Sequence, residues 1–323
     1  MKAIVRHRYG TSDVLELVNL PKPSPGDEEV LIRVRAAGLN PFDWHMMRGT
    51  PWPLRLFTGL GKPKRIRLGI DVAGTVVGFG KGVTQFQLGD EVFGAADGAL
   101  GEYVCGGVVG LVGRPANVSS EEAAAVPIAG LTALQALREK GHVKPGDRVL
   151  INGAAGGVGT FAVQIAKWQG AHVTGVCSSR NVEMVRSIGA DQVIDYTRED
   201  LATGREPYDV ILDLVGNRSL ADFRKVLKGE GVYIGCGGGG PETPASRLIA
   251  GMFKQMAAGW FTRQKFVGVL AKRNKADLEI LRELLRNGVV KAVIDRRYRL
   301  EEVPQAMRYL EEGHARGKVV ILI

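Results

Sequence analysis

The sequence predicts an α/β chain of two domains, one rich in β-strands and one built on a doubly wound parallel sheet of six strands. Three observations predict it: a change of texture near residue 120, a regular alternation of strand and helix beyond it, and a glycine-rich turn joining a strand run to a helical run. At 323 residues, 45% of them hydrophobic, the chain is long enough to build two cores.

Before residue 120, short strand runs at 2–6, 14–18, 29–37, 70–77, 91–93 and 101–104 are separated by Pro and Gly signals. In 29–37, Val30, Ile32 and Val34 alternate with Arg33 and Arg35, as in a sheet or small barrel with one solvated side. Ser119-Ser120-Glu121-Glu122 offers hydroxyl caps and early acids for a helix start. A helix over 131–140 then turns through Lys144-Pro145-Gly146-Asp147 into a strand at 148–152. Five more strands are expected at 171–176, 193–195, 210–214, 232–235 and 266–271, interleaved with helices at 160–168, 182–188, 219–227 and 245–258. A helix at 276–287, an apolar run at 289–293, a helix at 303–312 and a last strand at 318–323 are expected to return to the first domain. The expected domains are thus 1–123 with 272–323, and 124–271.

The turn Gly153-Ala154-Ala155-Gly156-Gly157-Val158-Gly159 carries the chemistry. Small residues let the backbone approach a pyrophosphate, and the helix that follows presents unpaired N–H groups and a partial positive charge. A second strand follows at the spacing of one βαβ unit, which sets this turn apart from an ordinary Gly-rich loop. Past that strand, an NAD site usually places an acid against the ribose hydroxyls. This chain has Cys177-Ser178-Ser179-Arg180-Asn181, where two hydroxyls and a guanidinium suit a 2′-phosphate, so NADPH is the expected cofactor. The competing reading is that Ser178 and Ser179 cap the next helix and Arg180 is solvated.

A formal charge of +9, from 43 basic and 34 acidic side chains, would attract an anionic cofactor. No base-reading module is visible, so no nucleic-acid partner is expected, and the concentration at Lys62, Lys64, Arg65 and Arg67 reads as a solvated loop. Cys105, Cys177 and Cys236 are widely spaced and form no CxxC pair, which fits a reducing compartment and gives no zinc cluster. With neither a leader-like start nor a bilayer-length apolar run, a soluble cytoplasmic protein without a membrane span is expected.

Residues 36–43 (Ala-Ala-Gly-Leu-Asn-Pro-Phe-Asp), 69–74 (Gly-Ile-Asp-Val-Ala-Gly), 89–94 (Gly-Asp-Glu-Val-Phe-Gly), 131–133 (Leu-Thr-Ala) and the glycine turn occur in the order seen in medium-chain dehydrogenases/reductases. The chain resembles the zinc-independent quinone oxidoreductase branch over essentially its whole length. Residues 313–318 and Asp195-Tyr196 resemble the reticulon-interacting quinone oxidoreductases. The resemblance implies a GroES-like catalytic domain around an inserted Rossmann domain, an active site in the cleft between them, and a homodimer. Where zinc-dependent relatives place Cys, His and Cys, this chain has Asn40, Ile70 and Ile128, and aliphatic side chains cannot ligate a metal. The four-Cys structural lobe is also missing between Gly94 and Tyr103. No metal site is therefore expected.

By the same resemblance, Asn40 and Asp43 face the nicotinamide end. Asn40 either orients the carboxamide or donates to the substrate oxygen, and Asp43 orders the ribose or a proton path; the alternative is that Asn40 turns the chain before Pro41 and Asp43 caps the next helix. His45 holds the proton-relay position of zinc enzymes but reads here as a packing or surface histidine. The other implied contacts are Thr132 near the nicotinamide; Ala155, Gly156, Gly157 and Val158 at the pyrophosphate; and Ser178, Arg180 and Tyr196 at the adenosine phosphate. Val215 and Gly235 mark strand ends, and His314, Ala315 and Arg316 approach from the returning segment, unless Arg316 belongs to an exposed basic loop. Trp44, Trp52, Phe57 and the helically spaced Leu248, Ile249, Met252, Phe253, Met256 and Trp260 either line an apolar acceptor pocket or, for the latter group, pack a core or dimer face.

With no metal, hydride transfer requires an acceptor that delocalises its developing charge, such as a quinone or an α,β-unsaturated carbonyl. Two other readings stand beside this NADPH-dependent reductase: a non-catalytic NADPH-binding protein of crystallin-like or regulatory type, and a metal-free alcohol dehydrogenase.

Overall fold

The computed structural model describes residues 1–201, 207–237 and 262–323. In chain order it begins with β1 (Lys2–Val5), β2 (Glu16–Asn19), β3 (Glu29–Leu39), α1 (Pro41–Arg48), α2 (Arg55–Thr58), β4 (Asp71–Phe79), β5 (Glu91–Ala95), β6 (Tyr103–Gly107), β7 (Leu111–Gly113) and α3 (Ser120–Ala124). Next come α4 (Pro127–Gln135), β8 (Arg148–Asn152), α5 (Gly157–Trp168), β9 (His172–Cys177), α6 (Val182–Ser187), β10 (Gln192–Asp195), β11 (Tyr208–Asp213), α7 (Leu220–Val226), β12 (Leu227–Gly235) and β13 (Lys265–Gly268). The last described elements are α8 (Lys275–Arg286), β14 (Ile294–Arg299), α9 (Val303–Glu311) and β15 (Lys318–Leu322). The chain divides into two compact units, Met1–Leu131 with Arg273–Ile323, and Thr132–Lys272.

Thr132–Lys272 is built on a six-stranded sheet in the order β10-β9-β8-β11-β12-β13, and every pairing in it is parallel. Parallel strands need helical crossovers, which cover both faces and demand apolar runs rather than alternation. Accordingly Val149, Leu150 and Ile151 of β8 are all fully buried. Leu150, Val176, Ile194, Tyr208, Ile211, Phe223 and Tyr233 form one core cluster. The strand order reverses beside β8, so the turn after β8 sits at the topological switch point, where open α/β sheets bind ligands.

The other unit is organised by β3, which pairs with β15, β4 and β6 in a seven-stranded sheet of order β14-β15-β3-β4-β5-β7. The C-terminal strand is therefore hydrogen-bonded to a strand almost 280 residues earlier, with Val319 opposite Leu39 and Leu322 opposite Ala36. Its core gathers Ile4, Val30, Ile32, Val72, Phe93, Val303, Met307 and Ile321, all fully buried.

Several local expectations are corrected. The apolar run at 289–293 forms no strand; the strand follows it as β14, with sequence IDRRYR, parallel to β15. Its exposed Arg296, Arg297 and Arg299 give it the charged pattern of an edge strand, and an apolar count passes over such a strand. The helix expected at 131–140 begins at Pro127, where a missing N–H leaves no helical bond unmade, and gives way to a π-helical turn over Ala136–Lys140. The first 120 residues are not purely β, since α1 and α2 follow β3. The basic run is exposed at Lys62, Lys64 and Arg65, as a solvated loop would be, though Arg65 and Arg273 both pair with Asp97, and half-buried Arg67 donates to the Gly98 and Tyr103 carbonyls. The helix expected at 245–258, with Leu248 to Trp260, and the glycine run at 237–240 beyond Gly237 lie outside the described residues.

One core side chain defies the usual sorting of charge to the surface. Arg6 is 1% exposed, and its three guanidinium nitrogens have no hydrogen-bond partner; the Tyr9 ring, 5.7 Å away, faces it. Burial lowers its pKa to about 10. Buried Asp43 attracts it electrostatically but makes no hydrogen bond to it. A buried cation without hydrogen-bond partners is unfavourable by several kcal/mol, so Arg6→Met is expected to raise the unfolding free energy by at least ~1 kcal/mol in urea denaturation. A less stable Met variant would mean that the attraction between Asp43 and the guanidinium outweighs the cost of burying it.

Candidate functional site

Strand register assembles a buried polar cluster in the first unit. Leu39 lies opposite Val319, so the next residues outward, Asn40 and Lys318, fall side by side; on the other flank of β3, Asp71 lies opposite Gly38. Side chains two apart on a strand share a face, which puts Asn40, Asp71 and Lys318 together over Gly38. A Cβ on Gly38 would collide with the Ala124 carbonyl oxygen. Lys318 is 3% exposed, and its Nζ donates to Leu39 O at 2.9 Å, Asn40 Oδ1 at 2.5 Å and Asp71 Oδ2 at 3.4 Å. Asn40 Nδ2 donates to Asp71 Oδ2 at 2.9 Å, and the Ile128 N–H donates to Asp71 Oδ1 at 3.0 Å.

Asn40 also ends β3 and caps α1. Its backbone N–H donates to Asp43 Oδ2 at 2.8 Å, a capping-box contact between the N-cap and position N3, with Pro41 at N1. The capping alternative is therefore correct for Asp43, and a cap does not prevent further chemistry. Asp43 is fully buried, and burial pushes its carboxyl up to about 7; the Asn40 and Gly69 N–H groups and Lys318 pull it down, while Asp71 pushes it up. Burial likewise raises the pKa of Asp71, against Lys318, Asn40 and Ile128. Two buried carboxyls thus face one buried ammonium, and near neutrality the cluster can retain a proton.

His45 is half-buried, stacked on Trp44 at 3.7 Å, with Nδ1 2.7 Å from Thr50 O. Burial lowers its pKa, so it is a packed neutral imidazole. Trp44 belongs to the core at 4% exposed and does not line an open pocket. Phe57, 80% exposed, and Trp52, 59% exposed, do remain at the surface, joined by Phe42, Leu56 and Leu60 on the same 42–60 segment. His314, Ala315 and Arg316 form the loop between α9 and β15 in this unit, where the Arg316 N–H donates to Asp295 Oδ2.

In the other unit, the glycine turn follows β8 and α5 opens with Gly156 as its N-cap and no acidic residue in its first turn. Gly153 has φ +88°, and a Cβ on Gly159 would collide with the Gly153 carbonyl oxygen, so both positions require glycine. Ala155, Gly156, Gly157 and Val158 stand at this helix N-terminus, a tight cradle with no acidic residue in the helix's first turn that could hold a pyrophosphate. Ser178 and Arg180 lie at the end of β9 and Tyr196 at the end of the adjoining β10; the Tyr196 N–H donates to Cys177 O at 3.1 Å, which keeps the three together. Arg180 and Tyr196 are exposed, whereas Ser178 is half-buried and its Oγ accepts from Asn181 Nδ2. Ser179 is committed to Asp195 and Thr197.

Sequence reasoning missed Asp71, Lys318 and a third buried group, Asp213. Asp213 ends β11 and accepts from Asn152 Nδ2 at 2.8 Å, Tyr233 Oη at 2.7 Å and the N–H groups of Val215 and Gly216 at 3.1 and 3.0 Å. It shapes the strand end carrying Val215, beside Gly235 at the end of β12. Thr132, buried in α4, begins this unit. Among the described residues no group of three or more His, Cys, Asp or Glu side chains is placed to hold a metal ion, and no helix is long and apolar enough to cross a membrane.

The raised Asp43 pKa has a stability consequence with a defined sign. The folded state holds the Asp43 proton more tightly than the unfolded chain, so its contribution is fully present below pH 4 and is lost as pH rises through about 7. Asp43→Asn should therefore gain on the wild type between pH 4 and pH 8, by as much as ~4 kcal/mol from a shift of about three pH units. Melting curves that run parallel across that range would refute the shifted carboxyl.

Two family models match the chain: the alcohol dehydrogenase GroES-like domain over residues 26–136 and the zinc-binding dehydrogenase model over residues 188–321. The chloroplastic quinone-oxidoreductase QR1 of Triphysaria versicolor is 35% identical, over 99% of this chain and 98% of that protein. The mitochondrial NAD(P)H oxidoreductase RTN4IP1 of Mus musculus is 34% identical, over 99% of this chain and 89% of that protein. Among solved structures, the quinone oxidoreductase from Coxiella burnetii superposes with a TM-score of 0.85 at 34% identity, covering 100% of this chain and 99% of that one. Together with the parallel six-stranded sheet and the glycine turn at its switch point, these likenesses place the chain in the medium-chain dehydrogenase/reductase superfamily, within its quinone oxidoreductase branch.

Proposed function

We propose that the chain is an NADPH-dependent reductase that passes hydride to a quinone or an α,β-unsaturated carbonyl without a catalytic zinc. One observation carries the reading: the positions that correspond to zinc ligands are organised around Asp71, to which Asn40 and Ile128 both donate and which pairs with Lys318. An amide, a backbone N–H and an ammonium saturate that carboxylate, while Ile70 and Ile128 bring no donor atom for a metal.

When bound, the nicotinamide supplies the hydride. The chain's own groups do the rest. The turn at 153–159 holds phosphate through backbone N–H groups, and Arg180 with Ser178 receives the 2′-phosphate through charge-assisted hydrogen bonds. Thr132, Val215, Gly235 and the 314–316 loop serve the remainder of the cofactor. Asn40 donates to an acceptor oxygen as charge develops there, and Asp43 holds a proton in a buried site at neutral pH. Phe57, Trp52, Leu56 and Leu60 give an apolar acceptor a surface to dock on. The same reading keeps the domains at 1–123 with 272–323 and 124–271 and takes the protein as a homodimer in a reducing, cytoplasmic compartment.

Two measurements check this. NADPH oxidation should rise with quinones or enones and persist in chelator; NADPH binding without turnover on a broad panel of both would favour the non-catalytic alternative, and activity lost with stoichiometric zinc would overturn the metal-free reading. Arg180→Ala should weaken NADPH about 10- to 100-fold, as expected for losing a hydrogen bond to a charged group, while changing NADH affinity little. Equal losses for the two cofactors would refute the 2′-phosphate assignment.

A further inference from the structure

We propose that Lys318 and Asp71 are positioning residues that lock the side-chain amide of Asn40 in one orientation, as a hydrogen-bond donor to the carbonyl oxygen of the acceptor. The inference rests on the reductase reading and chooses between the two roles open to Asn40.

The lock follows from donor and acceptor chemistry. An ammonium offers only hydrogens, so the amide must turn Oδ1 toward Lys318, at 2.5 Å, which leaves Nδ2 to donate to Asp71 Oδ2 at 2.9 Å. A flipped amide would set its N–H against the ammonium and its oxygen against the carboxylate. Burial strengthens both penalties by keeping water out, since Asn40, Asp71 and Lys318 are all at most 3% exposed.

Valence decides which group meets the ligand. The three ammonium hydrogens of Lys318 have three acceptors, Leu39 O, Asn40 Oδ1 and Asp71 Oδ2. Asp71 Oδ1 takes the Ile128 N–H, and Oδ2 takes Asn40 and Lys318. Lys318 and Asp71 thus act through Asn40, whose Nδ2 has a second hydrogen fixed in the amide plane. That N–H is the donor the cluster presents. In the reaction the acceptor gains a hydride at carbon, its conjugated π electrons shift toward oxygen, and a proton is taken up to complete reduction; Asn40 transfers none and stabilises the oxygen's charge.

The test is a double-mutant cycle on kcat/KM for NADPH oxidation by a water-soluble benzoquinone, with NADPH Kd followed by fluorescence. Lys318→Met combined with Asp71→Leu removes both charges together, so that neither is left buried alone. We expect Asn40→Ala and this paired change each to lower kcat/KM at least 10-fold, the combined variant to fall no lower than Asn40→Ala, and NADPH Kd to stay within two-fold throughout. If the paired variant does not fold, Lys318→Arg completes the cycle: a drop of several-fold in the wild-type background and none in Asn40→Ala. Additive losses, or a parallel loss of NADPH affinity, would overturn the positioning role while leaving the reductase reading intact. A wild-type protein that turns over neither quinones nor enones would overturn both.

Discussion

A buried ammonium is the constraint around which the first unit is arranged. Lys318 is removed from water, and its charge is tolerable because Leu39 O, Asn40 Oδ1 and Asp71 supply acceptors for all three of its hydrogens. Those acceptors come from the end of β3 and the start of β4, and they meet Lys318 in one register alone. A slip of one residue in β15 would turn Lys318 to the opposite face and leave Asp71 buried beside no cation. The pairing closes a loop of nearly the whole chain, so the seven-stranded sheet depends on a contact whose closure entropy and contact order are both high.

The two units bury a carboxylate at a strand end by different means. Asp213 receives neutral donors: an amide, a phenol and two backbone N–H groups. Their dipoles are fixed by the sheet, so the carboxylate is stabilised without a counter-charge and the loop after β11 is held in place. Asp71 has a cation, but it shares that cation with Asp43. One ammonium cannot neutralise two buried carboxyls, and burial pushes both upward, Asp43 to about 7. Rigidity is the outcome in one unit and a retained proton in the other.

Local rules were enough for most of the fold. The β8–α5–β9 unit was legible because its signals are local: an apolar strand, glycines where a side chain would collide, then a 3.6-residue period. Asn40 and Asp43 stood out through the resemblance of residues 36–43 to the family. Lys318 and Asp71 did not, because a Gly-Lys pair before an apolar strand reads as a solvated turn, and charged residues are rarely interior. Their partnership depends on which strands pair, information held across the chain rather than in any window. The same limit explains β14, whose arginines belong to a sheet edge, and Trp44, whose burial is set by packing that aromatic content alone does not reveal.

The proposed chemistry follows from how much charge such a cluster can stabilise. A metal ion stabilises an alkoxide by direct coordination, with its full charge on the oxygen. The ammonium here is fully spent on protein acceptors, and what it passes outward is the orientation of one amide. A single neutral donor is too weak to hold a localised alkoxide but adequate for an oxygen that shares its charge with a conjugated system. In the proposed reading, substrate class is thus set by charge dispersal: quinones and enones bring into the site the delocalisation that a saturated carbonyl lacks, and Asp43 keeps a proton close by for the product.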